Sequence, residues 1–365
     1  MKMKNEEHIR EVIRLIGQRE GKVFACDEEK TVEAYAQHYL NQPNAIIKIV
    51  SIAGGFLATI AILFLFFLSG WGESSVLLMI FGAIFIAGAI GCNLKYPDSL
   101  LSDALSLPIF LSGFFLIGYA CGEQENILCM VFIVLSLASL FLIRTYILSF
   151  VSVYILVGSC LSLFFINNAY DWIFIHHSVL AGIISLFFWK EARWITHSPN
   201  FARIYNPIRS GLTVSFLVGW IATTLMRNVS IKSGAFLNPE WVWISSIVPS
   251  ALILYLISKL LQLFQVKSIQ KQSLIYAAAF LLLVLIAYSP ALSGTILIIL
   301  LSFQANYKGG FYVSILSFIY FIIQYYYDLH FTLLVKSGFL CLSGILFIVF
   351  YLLFTRSKLK VDEKI

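Results

Sequence analysis

The polar residues with the clearest potential for chemistry lie near the C-terminus. Asp328, Thr332 and Lys336 are spaced by four residues, so they would share one face of a helix that begins early enough to include all three. A lysine inside an apolar segment needs a partner or a route to water, and this face offers it a carboxylate and a hydroxyl. The pattern predicts a polar pocket that opens to the outside and binds a polar or anionic group.

Three further residues belong to this candidate outer-face cluster. Tyr326 lies in the tyrosine run before Asp328, and Asp171 and His177 lie at the start of another apolar segment. His176 and His177 diverge by about 100° on a helix, so at most one of them faces a given site. A snorkelling lysine, an interfacial tyrosine belt and a helix cap account for the same residues, and the sequence leaves both interpretations open.

No pattern typical of an enzyme or a metal site accompanies the cluster. The six cysteines include no CxxC pair and no cysteine–histidine metal spacing. The chain also lacks a GxSxG turn and a glycine-rich phosphate loop. We therefore predict no catalytic residue, no metal ion and no cofactor, and we expect that the protein is not an enzyme.

The composition predicts the elements that position these residues. Hydrophobic residues make up 60% of the 365 and charged residues 12%, against about 25% charged residues in soluble domains. Such a chain has lipid as its main solvent, so we predict an all-α polytopic transmembrane bundle. Twelve spans are expected, near residues 45–69, 74–92, 104–121, 126–143, 147–166, 172–189, 207–226, 241–264, 273–288, 291–305, 310–327 and 331–354.

Two of the predicted boundaries divide long apolar stretches. Residues 126–166 and 273–305 would each form a helix of roughly 50–60 Å, which exceeds a hydrocarbon core of about 30 Å. We divide them at Arg144-Thr145 and at Ser289-Pro290. The second pair of helices is short, and a re-entrant hairpin is an alternative for it.

The distribution of basic residues predicts the orientation of the chain. If the N-terminus is cytoplasmic, Arg227 and Lys232 are the only basic residues in the outside gaps, and the basic tail lies inside. We therefore predict a bacterial inner-membrane protein with both termini in the cytoplasm. The inside gaps contain Lys95, Arg144, Lys190, Arg193, Arg203, Arg209, Lys267, Lys271 and Lys308.

The first 44 residues differ in kind from the rest. Ile9–Ile16 and Val32–Tyr39 each carry apolar residues at helical spacing, which predicts a cytosolic amphipathic hairpin over 1–44. The transmembrane domain then covers 45–356 and a basic tail covers 357–365. We expect the hairpin to dock a second membrane protein, the spans to contact the lipid bilayer, and no nucleic acid to bind.

The last predicted span resembles the C-terminal signature of an uncharacterised bacterial inner-membrane family, domain of unknown function 4401. That family is similar in organisation to domain of unknown function 2157. Its members are often encoded beside such proteins, so the resemblance implies a membrane assembly but no substrate. The matching residues are Tyr325–Tyr327, Leu329, Thr332, Leu333, Leu334, Lys336, Ser337 and Gly344.

Three functions compete at this point. The first is a non-enzymatic component of a membrane assembly. The second is a small-molecule transporter or permease with an outward-facing polar pocket, for which the predicted midplane has few ionisable residues. The third is a membrane enzyme acting on lipid-linked substrates. Such an enzyme generally needs catalytic carboxylates or arginine clusters and often a sizeable outer loop, whereas the longest outer gap here is about residues 227–240.

Overall fold

The computed structural model describes most of the predicted membrane region. The described residues are 10–11, 14, 29–30, 45–96, 100–143, 145–197, 199–233, 242–265, 268–287, 289–328, 341, 344–345 and 348. The N-terminal hairpin and the last predicted span, residues 331–354, therefore lie almost wholly outside them.

Helices account for the regular structure of the described ranges, apart from a short 3-10 turn at Trp71–Glu73. We number them α1 (Ala45–Leu68), α2 (Ser75–Lys95), α3 (Leu100–Cys121), α4 (Glu125–Leu142), α5 (Tyr146–Ile166), α6 (Tyr170–Trp189), α7 (Glu191–His197), α8 (Pro199–Ser233), α9 (Val242–Leu263), α10 (Ile269–Leu285), α11 (Pro290–Gln304) and α12 (Lys308–Asp328).

Nine of the described helices are long and apolar enough to cross a membrane, while α10 and α11 are shorter apolar helices. The expected all-helical fold with many apolar helices is thereby confirmed, whereas the count of twelve spans and the N-terminal hairpin stay predictions. Both predicted divisions also occur in the structure. Ile143 and Thr145 separate α4 from α5, and Pro290 is the first residue of α11, where its missing N–H costs no helical hydrogen bond.

The polar region at residues 190–206 differs from the prediction. The sequence indicates a gap there, but the structure forms α7 and the first turns of α8. Pro207 lies inside α8 and does not end it, because in a membrane bundle neighbouring groups can satisfy the carbonyl that a proline leaves free. As a consequence, Arg203 and Arg209 are helical residues.

The first compact unit, Met1–Gly122, contains α1 to α3. Its helices α2 and α3 cross at Gly82 and Gly113, where a β-carbon on either glycine would lie within 3 Å of the other glycine's carbonyl oxygen. A second close crossing brings Gly55 of α1 against the backbone of Ala104 in α3. Such small-residue contacts let membrane helices approach closely, where dispersion and not water exclusion holds them together.

The second compact unit, Glu123–Ile365, contains α4 to α12, and α11 is largely buried within it. Ten of the fifteen residues of α11 are buried, against α6, α8, α9 and α12. Gly294 allows the ring of Phe216 to pack directly on the α11 backbone. The outward faces of α4 and α10 carry exposed apolar side chains such as Phe141 and Phe280, as lipid contact requires.

The crossing of α2 and α3 gives a prediction about stability. Gly82→Ala places a β-carbon 2.6 Å from Ile117 Cγ1 and 2.9 Å from the Gly113 oxygen. The overpacking costs about 1–3 kcal/mol, more than the helix propensity that alanine adds, so we expect a lower thermal unfolding midpoint in detergent. Gly88→Ala is the control, because no described atom lies within 4 Å of its β-carbon position. It should be neutral or stabilising by up to ~1 kcal/mol, and equal effects of the two changes would contradict the close crossing.

Candidate functional site

Arg209 is the one buried Lys, Arg, Asp or Glu side chain among those that the structure describes, with 8% of its surface exposed. It lies on α8, eight residues after Phe201, where the apolar span begins. Its Nη1 donates to Glu191 Oε1 at 2.9 Å, and its Nη2 donates to Asn206 Oδ1 at 3.1 Å. The ion pair therefore connects the start of α7 to α8.

Three aromatic rings enclose the guanidinium of Arg209. Its Cζ lies 5.4 Å from the ring centre of Phe188, 5.3 Å from that of Tyr205 and 4.5 Å from that of Tyr307. A planar guanidinium is attracted to the faces of such rings, more strongly where water is excluded. Arg209 thus joins α6, α7, α8 and the connection between α11 and α12 at one end of the second unit, which we call the Arg209 end.

A cavity of about 290 Å³ lies at the same end of the unit. We call it the α12 cavity, because Gly309 and Gly310 in its wall belong to the first turn of α12. It is lined by Tyr146, Phe150, Ser210, Thr213, Val214, Tyr307, Gly309, Gly310 and Val313.

Hydroxyl groups in the wall of the α12 cavity form a directed chain. Ser210 Oγ donates to the carbonyl oxygen of Asn206, so the 2.6 Å contact between Tyr146 and Ser210 is one in which Tyr146 donates. The remaining lone pairs of the Tyr146 oxygen are therefore free to accept. Burial raises the pKa of Tyr307, so this phenol is neutral at physiological pH.

A second polar group lies deeper in the second unit, around His177. Only 1% of His177 is exposed, and its Nδ1 lies 2.8 Å from the carbonyl oxygen of Ile173. That contact assigns the proton to Nδ1 and the lone pair to Nε2. The His177 ring lies 4.1 Å from the Trp220 ring. His177 Nε2 and Trp220 Nε1 are buried and have no hydrogen-bond partner within the described part of the chain.

The structure describes some residues of the predicted outer-face cluster, each in its own helix position. Asp171 lies in the first turn of α6, and His177 lies six residues later and packs against Trp220 of α8. Tyr326 is on α12, and Asp328 is the last residue of that helix. The side chain of Asp328, together with Thr332 and Lys336, falls outside the described residues. The pocket itself stays a prediction.

The sequence did not identify Arg209 as a site residue. A basic residue near the end of an apolar segment is typical of a topology determinant, and the sequence pattern gives Arg209 that role. The available signal was its place three residues after Asn206 and within the predicted span 207–226. Glu191 and Tyr307 are 18 and 98 residues away in the sequence, so only the packing of the bundle brings them to Arg209.

No group of three or more His, Cys, Asp or Glu side chains in the described ranges could hold a metal ion. The apolar spans and the polar groups enclosed between them define the chain as a multi-pass helical membrane protein. The chain belongs to the family described as domain of unknown function 4401, whose profile matches residues 45–357. The resemblance drawn from the last span is thus confirmed. No curated protein and no solved structure matches the chain.

The ring contacts of Arg209 predict that lysine cannot replace it. Arg209→Lys keeps the charge but loses the planar group that spans Glu191, Asn206 and Tyr307 at once. We expect a loss of roughly 1–3 kcal/mol of stability, measured by thermal unfolding in detergent. Arg203→Lys, at an exposed position of the same helix, should change the midpoint little. Equal midpoints for the two variants would show that the enclosure contributes nothing.

Proposed function

We propose that the protein is a non-enzymatic, multi-pass protein of the bacterial inner membrane that binds a small polar ligand in the α12 cavity, as a component of a membrane assembly. The observation that carries this proposal is the α12 cavity beside the ion pair of the buried Arg209 with the half-buried Glu191. A buried charge is usually costly even when it is paired, and charges within a membrane bundle characteristically mark functional sites. A ligand site next to Arg209 would account for an arginine at this position.

The proposal includes twelve spans with both termini in the cytoplasm. Its support is the excess of basic residues at the Arg209 end of the second unit, where Lys190, Arg193, Arg203 and Lys308 all lie near helix ends. Under the positive-inside rule this end faces the cytoplasm, and the α12 cavity takes up its ligand from that side.

The assembly part of the proposal is supported by α2. Its residues Ala83, Ala87 and Gly91 form an exposed stripe of small side chains, on a different face from the Gly82 crossing. Small-residue stripes are typical of membrane helices that pack against another helix. A second membrane protein is the proposed partner, with the N-terminal segment as an additional docking element.

A permease is the second candidate function, and the group around His177 favours it. Unpartnered buried polar atoms on α6 and α8 lie further from the Arg209 end of the same helices. A solute that leaves the α12 cavity toward the other side of the membrane would meet them. A permease must expose its site alternately to the two sides, whereas a binding component exposes it to one.

The orientation can be tested with reporter fusions. Fusions after Lys95, Pro199 and Lys360 should report the cytoplasm, and fusions near Glu123, Lys232 and Asp328 should report the outside. A C-terminal fusion that reports the outside would contradict the twelve-span arrangement.

The α12 cavity can be tested with single cysteines in a variant without native cysteines. Val313 lines the cavity and Tyr312 does not, although Tyr312 is the more exposed, at 65% against 40%. Because thiols react in water and not in lipid, Val313→Cys should react with an impermeant maleimide and Tyr312→Cys should not.

The side of labelling separates the two candidate functions. A binding component predicts labelling of Val313→Cys from the cytoplasmic side only, measured in inside-out and right-side-out vesicles. Labelling from both sides would favour the permease. No labelling from either side would refute the proposed ligand cavity.

A further inference from the structure

We propose that a pocket at one end of the first compact unit binds a primary ammonium cation, either free in solution or as the headgroup of an ethanolamine lipid. The pocket has a volume of about 460 Å³, and we call it the Glu73 pocket. The inference concerns α1 to α3 and does not rest on the α12 cavity. The residues that line the pocket are Phe67, Gly72, Glu73, Ser75, Leu78 and Tyr119.

The Glu73 pocket lies where three helices end or begin. Phe67 is the last residue but one of α1, Ser75 is the first residue of α2, and Tyr119 lies two residues before the end of α3. The ends of membrane-spanning helices lie at the level of the lipid headgroups. The pocket is therefore within reach both of cations in water and of the headgroups of lipids.

Glu73 gives the pocket a negative charge that no described basic residue neutralises. Its side chain is exposed and forms no ion pair with any residue that the structure describes. Residues 63–80 and 114–122, which form this end of the three helices, contain no other charged residue. Lys95 lies at the opposite end of α2. A carboxylate in such surroundings attracts a cation.

Two aromatic rings form walls of the pocket together with the carboxylate. The ring centres of Phe67 and Tyr119 are 5.3 Å apart, and the ring planes meet at 75°. The faces of such rings attract ammonium groups, and the binding of organic ammonium ligands is the best-known use of this contact. The combination of two rings with one carboxylate therefore fits an organic ammonium cation.

The backbone holds the Phe67 ring in place before any ligand binds. A β-carbon on Gly72 would run into this ring, so the ring lies directly on the backbone of the 3-10 turn. Gly70 enters that turn with a φ of 78°, which glycine adopts without strain. The buried ring of Phe66 supports Phe67 with 5.9 Å between the ring centres. A site that is arranged in advance loses less free energy when its ligand binds.

Ser75 favours an ammonium group that carries N–H bonds. Its hydroxyl belongs to the wall of the pocket and makes no hydrogen bond to another described residue. Together with the Glu73 carboxylate it offers acceptors for a primary ammonium, which has three donors. A quaternary ammonium has no donor and would leave both acceptors unused.

The test compares matched substitutions in the full-length protein. Glu73→Gln removes the charge and keeps the size of the side chain. Glu123→Gln makes the same change at an exposed carboxylate that does not line the pocket. Tyr119→Leu removes an aromatic face from the pocket, and Tyr119→Phe keeps it.

Binding of ethanolamine is measured by isothermal titration calorimetry on the detergent-purified protein at neutral pH, with sodium chloride at equal ionic strength as the reference. We expect the dissociation constant to rise about fivefold in Glu73→Gln and in Tyr119→Leu, which corresponds to ~1 kcal/mol for each. It should change by less than about twofold in Glu123→Gln and Tyr119→Phe. Thermal unfolding without ligand checks that each variant is folded, and the pair at Glu73 and Glu123 decides if Tyr119→Leu is not.

A second arm identifies the source of the ammonium group. Nanodiscs that contain phosphatidylethanolamine are compared with nanodiscs that contain phosphatidylglycerol, by thermal unfolding of the same variants. Stabilisation by phosphatidylethanolamine that is lost in Glu73→Gln and kept in Glu123→Gln assigns a lipid headgroup. Calorimetric binding of ethanolamine assigns the free cation.

The inference is overturned if neither probe distinguishes Glu73→Gln from Glu123→Gln. It is also overturned if folded Tyr119→Leu binds as tightly as Tyr119→Phe, because the carboxylate alone would then hold the ion and the rings would play no part. Labelling of Val313→Cys reports on the α12 cavity, so its outcome bears on the proposed function and leaves this inference unchanged.

Discussion

The absence of water inside a bilayer is the constraint on which this structure depends. Every polar group between the helix ends must find its partner within the protein. Serine and threonine side chains solve this locally by donating to carbonyl oxygens three or four residues earlier. Thr59, Ser152, Ser185, Thr223 and Thr295 all do so at 2.8–2.9 Å. The bundle can therefore bury many hydroxyl groups without forming a polar site.

The buried polar atoms without a hydrogen-bond partner are exceptions to this rule. Arg209 Nε, Ser302 Oγ, His177 Nε2 and Trp220 Nε1 lack partners among the described residues, although each is buried where a missing hydrogen bond is expensive. Two of them lie beside the α12 cavity and the other two around His177. Hydrogen bonds to carbonyl oxygens of the same helix, which satisfy serine and threonine, cannot satisfy the imidazole Nε2 or the indole N–H. These two groups depend on neighbouring helices or on a ligand.

The sequence predicts the parts of the fold that composition and length determine. Long uncharged stretches must be helices in lipid, and a hydrocarbon thickness of about 30 Å requires breaks near Arg144 and Pro290, where the structure has them. The close crossing at Gly82 and Gly113 was not predicted, because which glycines meet depends on how the helices pair. The helical region at 190–206 was missed because its polar composition resembles a loop.

The candidate site was less predictable, because it depends on which helices meet. Arg209 is a topology determinant by its position in the sequence, and only tertiary packing gives it Glu191 and three aromatic rings. His177 was assigned to an outward pocket, and its contact with Trp220 follows from the pairing of α6 with α8. No periodicity in one helix reveals the partner of its polar face.

The pairing of α6 with α8 also links the two polar groups to each other. Phe188 and His177 are eleven residues apart on α6, and Arg209 and Trp220 are eleven residues apart on α8. Eleven residues are just over three helical turns, about 16.5 Å, so each pair lies on one face of its helix. The same interhelical seam therefore holds the guanidinium against Phe188 at one end and the imidazole against Trp220 at the other.

Packing along this seam bears on the choice between a binding component and a permease. A β-carbon on Gly219 would lie 3.0 Å from His177 Nε2, and one on Gly294 would lie 2.8 Å from the Phe216 ring. Contacts this close leave no path for a solute unless α6, α8 and α11 separate. Separation of α6 from α8 would also break ring contacts of Arg209 at the far end of the seam. The close packing therefore favours the proposed binding component over a permease.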